Sequence, residues 1–303
     1  MIREWENVPS LLDSLPGLIP GGRLTLTADT WVTTSDVTGA GTIYYTPGTS
    51  TGGGHNRIAL YNGLRWNLYS FSEISLALTL TDAKNYDIFI YDNAGTLTLE
   101  LSAAWTNDTT RATALTTQDG VCVKSGALTR LYLGTIRASG INTTEDSFVG
   151  GSQSGGKRYV WNMYNRVVRH MGVKDTTDTW TYTTATWRQV NAAAGNKVEF
   201  VVGLSEDLIE AFAWHNSATS SNINSATGVG VDSTTVNSAL TCGAGQVTSA
   251  TQGPMSAYYF GYPGIGYHAL NWLEISTAAG TTTWVGDNGV TFRQTGLQAL
   301  TKG

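Results

Sequence analysis

The stretch YDIFIYDNAGTLTLEL, residues 86–101, decides the fold class of this chain. Apolar and polar residues alternate on both sides of the DNAG segment at 92–95, whose Asp, Asn and Gly accept the backbone angles of a tight turn. Five apolar side chains can then share one face of the paired strands: Ile88, Ile90, Leu97, Leu99 and Leu101. The stretch therefore predicts a β-hairpin with one buried face.

Shorter strand patterns, separated by turn residues, continue on both sides of this hairpin. Alternation predicts strands before it at 24–27, 42–45 and 58–61. An aromatic-rich stretch at 159–169 is typical of a buried strand, and residues 197–204 and 208–214 predict a second hairpin around a turn at 205–207. Further strands are predicted at 228–231, 258–262, 267–276 and 281–285.

The composition also favours β structure. Ten Trp, fourteen Tyr and seven Phe, together with frequent Thr, suit half-buried pleated strands. Charged residues make up only 14% of the chain, below the usual quarter, so Thr, Ser, Asn and the 35 Gly must supply the surface polarity. No short-period repeat is present, which disfavours a β-helix or solenoid.

A Gly/Ser-rich stretch at 148–156 is the best candidate for a linker between domains. We therefore predict an all-β protein with two β-sandwich or jelly-roll-like domains. The predicted divisions are an N-terminal anchor segment at 1–22, a β-rich domain at 23–147, the linker at 148–156 and a C-terminal sandwich at 157–303.

The N-terminal segment has apolar residues with the spacing of one helix face: Trp5, Val8, Leu12, Leu15 and Ile19. Pro9 and Pro16 interrupt the pattern, so the segment is expected to be a short helix or extended chain. One interpretation is a helix that folds back over a sheet. The other is an anchor whose apolar stripe docks on a neighbouring subunit or another protein.

Charge and segment patterns argue against several classes of protein. A net charge of −5 gives no basic footprint for nucleic acid. The sequence shows no signal peptide and no apolar run long enough to span a membrane, so folding in the cytoplasm is expected. Cys122 and Cys242 are 120 positions apart, and we expect both to be small buried apolar residues.

Catalytic and metal-binding patterns are weak. The four histidines lack ligand spacing, so no metal or cofactor is predicted, and His268 is the least improbable exception. Glu199, Glu206, Asp207 and Glu210 fall in the predicted second hairpin, where Glu199 and Glu210 either face each other or point to water; solvation is favoured. We therefore expect no enzymatic activity.

Aromatic residues are the other candidate feature, because exposed Tyr and Trp rings stack on sugar faces. The densest cluster predicts a possible ligand-binding loop formed by Tyr258, Tyr259, Tyr262, Tyr267 and His268. The alternative is that at least half of these rings fill a sandwich core or a subunit interface.

Several segments resemble virion structural proteins of tailed bacteriophages. They are residues 86–100, Trp105 with 109–112, 118–121 (QDGV), 130–135 (RLYLGT), 16–26 (PGLIPGGRLTL) and 157–166 (KRYVWNMYNR). This family consists mostly of uncharacterised fiber, spike or decoration proteins, and no catalytic residues come with the resemblance. It implies a component of the virion that is assembled in the host cytoplasm.

The resemblance and the β-rich composition together lead to three functional expectations. The first is a homotrimeric fiber or spike, attached to capsid, portal or tail components through its N-terminus, whose C-terminal domain is exposed for host-surface glycan binding. The second is a capsid decoration or cement protein without receptor binding. The third is a glycan-active enzyme or its carbohydrate-binding module, which requires a carboxylate pair in a groove.

Overall fold

The computed structural model describes residues 21–48, 56–148, 152–220, 223–246, 252–286 and 294–303. Within these ranges the prediction of an all-β protein is confirmed, because the only helical element is a short 3-10 turn at Val190–Ala192. The residues predicted to anchor the chain lie outside the described residues: Trp5, Val8, Leu12, Leu15 and Ile19.

The strands occur in the following order. The first twelve are β1 (Gly22–Thr25), β2 (Val37–Ala40), β3 (Thr42–Pro47), β4 (Arg57–Tyr61), β5 (Trp66–Ser70), β6 (Ile74–Ala77), β7 (Asn85–Asn93), β8 (Thr96–Leu101), β9 (Leu115–Gln118), β10 (Val121–Lys124), β11 (Ala127–Gly140) and β12 (Thr143–Ser147). The others are β13 (Lys157–Arg158), β14 (Val160–Asn162), β15 (Val168–Lys174), β16 (Thr179–Thr181), β17 (Arg188–Gln189), β18 (Lys197–Val202), β19 (Ile209–Thr219), β20 (Ile223–Val231), β21 (Leu240–Cys242), β22 (Ala244–Gln246), β23 (Gln252–Gly261), β24 (Gly266–Ser276), β25 (Thr282–Val285) and β26 (Gly296–Lys302).

The chain divides into two compact units that alternate along the sequence. The first unit comprises Met1–Glu145 and Val160–Arg166, and the second comprises Asp146–Tyr159 and Val167–Gly303. The boundary predicted from the sequence is a single one, at 148–156. The chain returns to the first unit at Val160 because β14 pairs with β11, from Gly134 opposite Asn162 to Ile136 opposite Val160.

Strand β11 organises the first unit. It pairs with β7 from Leu131 to Arg137 and, over Gly134–Ile136, with β14 on its other edge. A three-stranded sheet, β1-β3-β6, and the β4-β5 hairpin supply further strands. Their inward side chains form one core with those of β7 and β11, and its fully buried members include Leu24, Ile43, Ile58, Ile88 and Ile136.

The β7-β8 hairpin is formed as predicted. Asn93 pairs with Thr96, which leaves Ala94 and Gly95 as a two-residue turn with φ values of 51° and 93°. Both positive φ values match the primed turn that suits the strand twist. The Asp92 Oδ1 atom accepts a hydrogen bond from the Gly95 N–H at 2.7 Å, so the turn is closed by its own sequence.

The second unit contains two facing groups of strands. One runs in the order β22-β20-β24-β18-β13, and the other in the order β15-β26-β19-β23-β21. Their facing side chains form a core whose large members are Phe200 and Trp272, on the first group. Alanines on β19, β23 and β26 face them from the second group: Ala211, Ala213, Ala257 and Ala299.

The second hairpin predicted from the sequence, at 197–214, does not form. Strand β18 pairs with β24 and β13, whereas β19 pairs with β23, β25 and β26. The two strands therefore lie in opposite sheets of the second unit. The turn between them carries the chain across the core, because Phe200 of β18 and Ala211 of β19 are both buried in it.

The Gly/Ser-rich segment predicted to be a linker at 148–156 is, over its described residues 148 and 152–156, part of the second unit. The Gln153 N–H donates to the Lys174 carbonyl, and the Gly156 N–H donates to the Gly172 carbonyl, both at 3.0 Å. A Cβ atom added to Gly155 would lie only 1.6 Å from the Lys197 carbonyl oxygen. Glycine here permits close packing of two backbones.

Candidate functional site

The outer surface of the second unit carries a patch of large apolar side chains, here called the aromatic face. It lies on the side of β15, β26, β19, β23 and β21 that points away from the core. Its residues are Val168, His170 and Lys174; Gln298, Leu300 and Lys302; Glu210, Phe212 and Trp214; Ser256, Tyr258 and Phe260; and Leu240 and Cys242, with Tyr262 just after β23.

The strand register arranges these residues in rows. Phe212 pairs with Gln298 on one side and with Tyr258 on the other, and Tyr258 pairs in turn with Leu240. The next row holds Glu210, paired with Leu300 and Phe260. Paired residues in antiparallel strands project from the same face of a sheet. The apolar side chains are therefore neighbours rather than isolated surface residues.

The alternation of side-chain size in β19 is the reverse of the usual pattern. Ala211 and Ala213 are buried, whereas Phe212 is 44% exposed and Trp214 is half-buried. The large rings of the opposite sheet already fill the core, so only small residues fit inward at these positions. The bulky side chains of β19 therefore project outward.

Ring geometry links the exposed aromatic residues along each strand. Phe212 and Trp214 stack with centroids 5.6 Å apart, and Tyr258 and Phe260 stack with centroids 6.3 Å apart. Both separations lie in the range of favourable aromatic pairs. The Trp214 indole N–H also donates to the Gln294 carbonyl, which fixes that ring.

Polar groups also lie on the aromatic face. The Tyr258 hydroxyl donates to Glu210 Oε2 at 3.3 Å. Burial, aided by the Arg158 guanidinium, lowers the pKa of His170, so this imidazole is neutral at pH 7. An open depression of about 190 Å³ lies among these groups and is lined by His170, Glu210, Phe212, Tyr258, Gln298 and Leu300.

The structure separates the five residues predicted to form a ligand-binding loop. Only Tyr258 and Tyr262 are exposed on the outer side, at 43% and 65%. Tyr259 points inward and packs against the core. Tyr267 and His268 lie on β24, a strand of the opposite sheet, so they do not join Tyr258 in one cluster.

The side chains of Tyr267 and His268 have structural partners. The Tyr267 hydroxyl donates to Glu199, which also accepts from Lys197. His268 is 3% exposed, and its Nδ1 atom lies 2.8 Å from Asp232 Oδ2.

The carboxylates considered in the sequence analysis do not form a pair across a hairpin, because Glu199 and Glu210 lie in different sheets. Glu199 is held by Lys197 and Tyr267, and Glu210 alone reaches the aromatic face. Among the described residues no group of three or more His, Cys, Asp or Glu side chains is placed to hold a metal ion. No helix in the described ranges has the length and hydrophobicity to cross a bilayer.

The prediction that both cysteines are buried is wrong. Cys242 is exposed, and Cys122 is only half-buried. Cys242 lies on β21, which among the described strands is an edge strand paired with β23. Its partner there is Ser256, so its side chain projects from the outer side of the sheet.

A buried carboxylate, Glu274, lies inside the second unit. It accepts hydrogen bonds from the Trp180 indole N–H at 2.9 Å, Arg188 Nε at 2.8 Å and the Asn191 N–H at 3.1 Å. Burial raises the pKa of Glu274 to about 7, although these donors oppose the shift. The group is closed off from solvent, which argues for a structural role.

A buried imidazole lies near this carboxylate. The His215 ring is surrounded by Trp180, Trp272 and Trp284, with centroid distances of 5.3, 4.8 and 4.8 Å. Neither of its nitrogens has a hydrogen-bond partner among the described residues. Burial lowers the pKa of His215 to about 3, so the ring is neutral at pH 7.

A buried ion pair between Asp87 and Arg111 lies in the first unit. Asp87 is fully buried and accepts from Arg111 Nε at 2.9 Å, from Thr135 Oγ1 at 2.7 Å and from the Trp105 indole. The Arg111 guanidinium lies 4.4 Å from the centroid of the Trp105 ring. Burial raises the pKa of Asp87 against the opposing charge of Arg111. Residues 85–90 of β7 are buried, so both faces of the strand are covered there, and Asp87 shares its face with the ring of Phe89.

Sequence reasoning missed most of the aromatic face. It identified Tyr258 and Tyr262 but not Phe212, Trp214 or Phe260. The signal was present in the AFAW motif at 211–214, where alanine alternates with large rings. Both registers of such a motif are apolar, so alternation alone does not say which set faces the core.

Comparisons with known proteins leave the chain without a family. No protein-family model matches it, and no curated protein matches it. Among solved structures, dimeric latent PorU from Porphyromonas gingivalis is similar with a TM-score of 0.28 and 9% identity over 82% of this chain. The chain spans 19% of the length of that protein.

The infectious bursal disease virus Gx strain structure is similar with a TM-score of 0.26 and 11% identity, over 95% of this chain and 72% of that one. Likenesses at these TM-scores do not assign a fold family. What remains established is an all-β protein whose second unit exposes an aromatic sheet face.

Proposed function

We propose that this chain is a non-enzymatic structural component of a tailed-bacteriophage particle, a fiber, spike or decoration protein that works as a homotrimer. The observation that carries the proposal is the aromatic face. A contiguous apolar patch on a soluble β-sandwich marks an interaction surface. A structural protein of a symmetric particle needs such surfaces, and the sequence segments that resemble virion proteins point to the same class.

The proposal is tested on purified particles of the phage that encodes the chain. Antibodies against the purified chain should label intact particles at one defined location in immunogold electron microscopy. Mass spectrometry should detect the chain in gradient-purified particles in a fixed ratio to the capsid protein. A chain that is abundant in the lysate but absent from purified particles would contradict the proposal.

Attachment to the particle is assigned to the N-terminal apolar stripe of Trp5, Val8, Leu12, Leu15 and Ile19, on the sequence pattern alone. Deleting residues 2–19 should release the chain from assembled particles while leaving the β-sheet circular dichroism signal of the remaining chain unchanged. Retention of the truncated chain at the full copy number would assign attachment to another surface.

A host-surface glycan is the second candidate partner. The depression beside Tyr258 favours it, because it combines a ring with the polar groups of Glu210, Gln298 and His170. Glycan-array binding by the wild-type chain should then be lost in Tyr258→Ala. The matched control is Leu64→Ala, at an exposed position of the first unit that is 90% accessible. Binding that Tyr258→Ala leaves intact would contradict this candidate.

A further inference from the structure

We infer that the aromatic face is the surface through which copies of this chain contact one another. The inference rests on the proposed homotrimer and names its contact surface. The proposed binding partner of the face is a second copy of the chain. Binding of a glycan to the same face is the competing result that the experiment can detect.

The amount of exposed apolar surface on the aromatic face suits a subunit contact. Seven large apolar side chains of the face are between 40% and 83% exposed: Val168, Phe212, Leu240, Tyr258, Phe260, Tyr262 and Leu300. With accessible areas of roughly 150–250 Å² per large side chain, they present on the order of 700 Å². This exceeds the patch of about 300–600 Å² found on a typical monomer, and it approaches the 800 Å² or so that each partner contributes to a standard interface.

The side-chain composition of the aromatic face also suits a subunit contact. Five of its side chains are Phe, Leu or Val, and rings are concentrated on β19 and β23 around a single carboxylate, Glu210. Apolar and aromatic centres with few charges characterise the cores of subunit interfaces. A glycan site needs a denser set of polar groups to orient the sugar hydroxyls. The composition of the face therefore favours protein over glycan as its occupant.

The charge of the aromatic face is also compatible with a contact between copies of the chain. The chain carries a net charge of −5, so two copies repel each other unless their contact surface is free of excess carboxylates. The aromatic face carries one carboxylate, Glu210, and two ammonium groups, Lys174 and Lys302, and His170 is neutral. The face therefore has no excess of carboxylates. In a closed three-fold assembly, one side of the face can contact the opposite side of the neighbouring copy.

The experiment places a charge at the centre of the face in the full-length chain. Phe260 is 59% exposed, so Phe260→Glu is expected to leave the fold intact, which circular dichroism and thermal unfolding check. The matched control is Leu64→Glu, which adds the same charge at an exposed apolar position of the first unit. Light scattering coupled to size exclusion then measures the mass of all three proteins over a hundredfold range of concentration.

The wild-type chain and Leu64→Glu should have a mass three times that of the 32.4 kDa chain. Phe260→Glu should dissociate to monomer, with at least a hundredfold weaker association, because a buried unpaired carboxylate is strongly unfavourable at an interface. A trimer that Phe260→Glu leaves intact would overturn the inference while the homotrimer stands. A wild-type monomer would overturn both the homotrimer and this contact surface.

Two other outcomes are also decisive. A wild-type dimer that Phe260→Glu dissociates would support the contact surface and overturn the three-fold symmetry of the proposed function. A wild-type monomer whose glycan binding is lost in Phe260→Glu would assign the face to a glycan and overturn the inference.

Discussion

At the scale of single residues, the neutral His215 ring inside its cage of tryptophans makes the fold sensitive to acid. Its pKa of about 3 in the folded chain lies below the unfolded value near 6.5. Between these two values the unfolded chain binds the proton more tightly. The free energy of unfolding therefore falls as pH drops through this window, by up to about 1.4 kcal/mol per pH unit.

We expect His215→Leu to remove this part of the acid sensitivity. Between pH 7 and pH 5 the wild-type chain should lose about 2 kcal/mol more stability than the variant, as measured by urea unfolding at both pH values. His170→Leu, a change on the outer face, serves as the control and should keep most of the wild-type slope. Equal slopes for the wild-type chain and His215→Leu would show that the buried ring is not the sensitive group.

Glu274 has the opposite effect on pH dependence. Its pKa of about 7 in the folded chain lies above the ordinary value of 4.5, so the folded chain binds the proton more tightly between these values. The free energy of unfolding should therefore decrease as pH rises through this window. Between pH 5 and pH 8 this group should lower the free energy of unfolding of the wild-type chain by about 2 to 3 kcal/mol. Glu274→Gln should not show this decrease.

The same urea experiment measures this second effect. Glu210→Gln, on the outer face, is the matched control and should retain the wild-type loss. If the bonds from Trp180 and Arg188 instead hold Glu274 ionised throughout this range, Glu274→Gln would not alter the slope. It would only lower stability at every pH.

At the scale of elements, the β7-β8 turn is strained at one residue. Ala94 has a φ of 51°, in a region that β-carbon-bearing residues avoid except for Asn and Asp. Ala94→Asn should stabilise the first unit by about 0.5 to 1 kcal/mol, because Asn-Gly is the preferred pair for this turn. Ala94→Val should destabilise it. Thermal unfolding of both variants checks the prediction, and equal melting temperatures would contradict it.

The two predicted hairpins show which elements a sequence can define. For β7-β8, a two-residue turn fixes both the register and the partner, so local information suffices. For β18 and β19, both strands are apolar and the turn between them is longer. Nothing local then says whether the second strand returns to its neighbour or crosses to the other sheet. Pairing of β18 with β24 depends on residues about 70 positions away.

The aromatic face was only partly predictable for a related reason. The positions of Phe212 and Trp214 on a strand follow from the sequence, but their outward direction does not. It depends on Phe200 and Trp272, which fill the core from the opposite sheet and leave room only for alanine. The volume of the side chains on the opposite sheet decides which side chains of β19 point outward. That volume cannot be deduced from the sequence of β19 alone.

At the scale of the whole molecule, each unit has its own hydrophobic core. A unit with its own core is expected to unfold as a cooperative block. We therefore expect two calorimetric transitions. Ile90→Ala should lower one of them by about 2–5 kcal/mol, because Ile90 is fully buried in the first core. Val198→Ala should lower the other by a smaller amount, because Val198 is fully buried in the second core but loses fewer carbon atoms. A single transition lowered equally by both variants would contradict this expectation.

The glycine-rich segment at 152–156 has a practical consequence for anyone who modifies the chain. Its composition is typical of a flexible spacer, in which an affinity tag or a fusion partner is commonly inserted. Its backbone is nevertheless bonded to Lys174, Gly172 and Glu199, and one extra residue would shift all three bonds out of register. The turn at Ala94 and Gly95, exposed and closed by its own sequence, is the better insertion point.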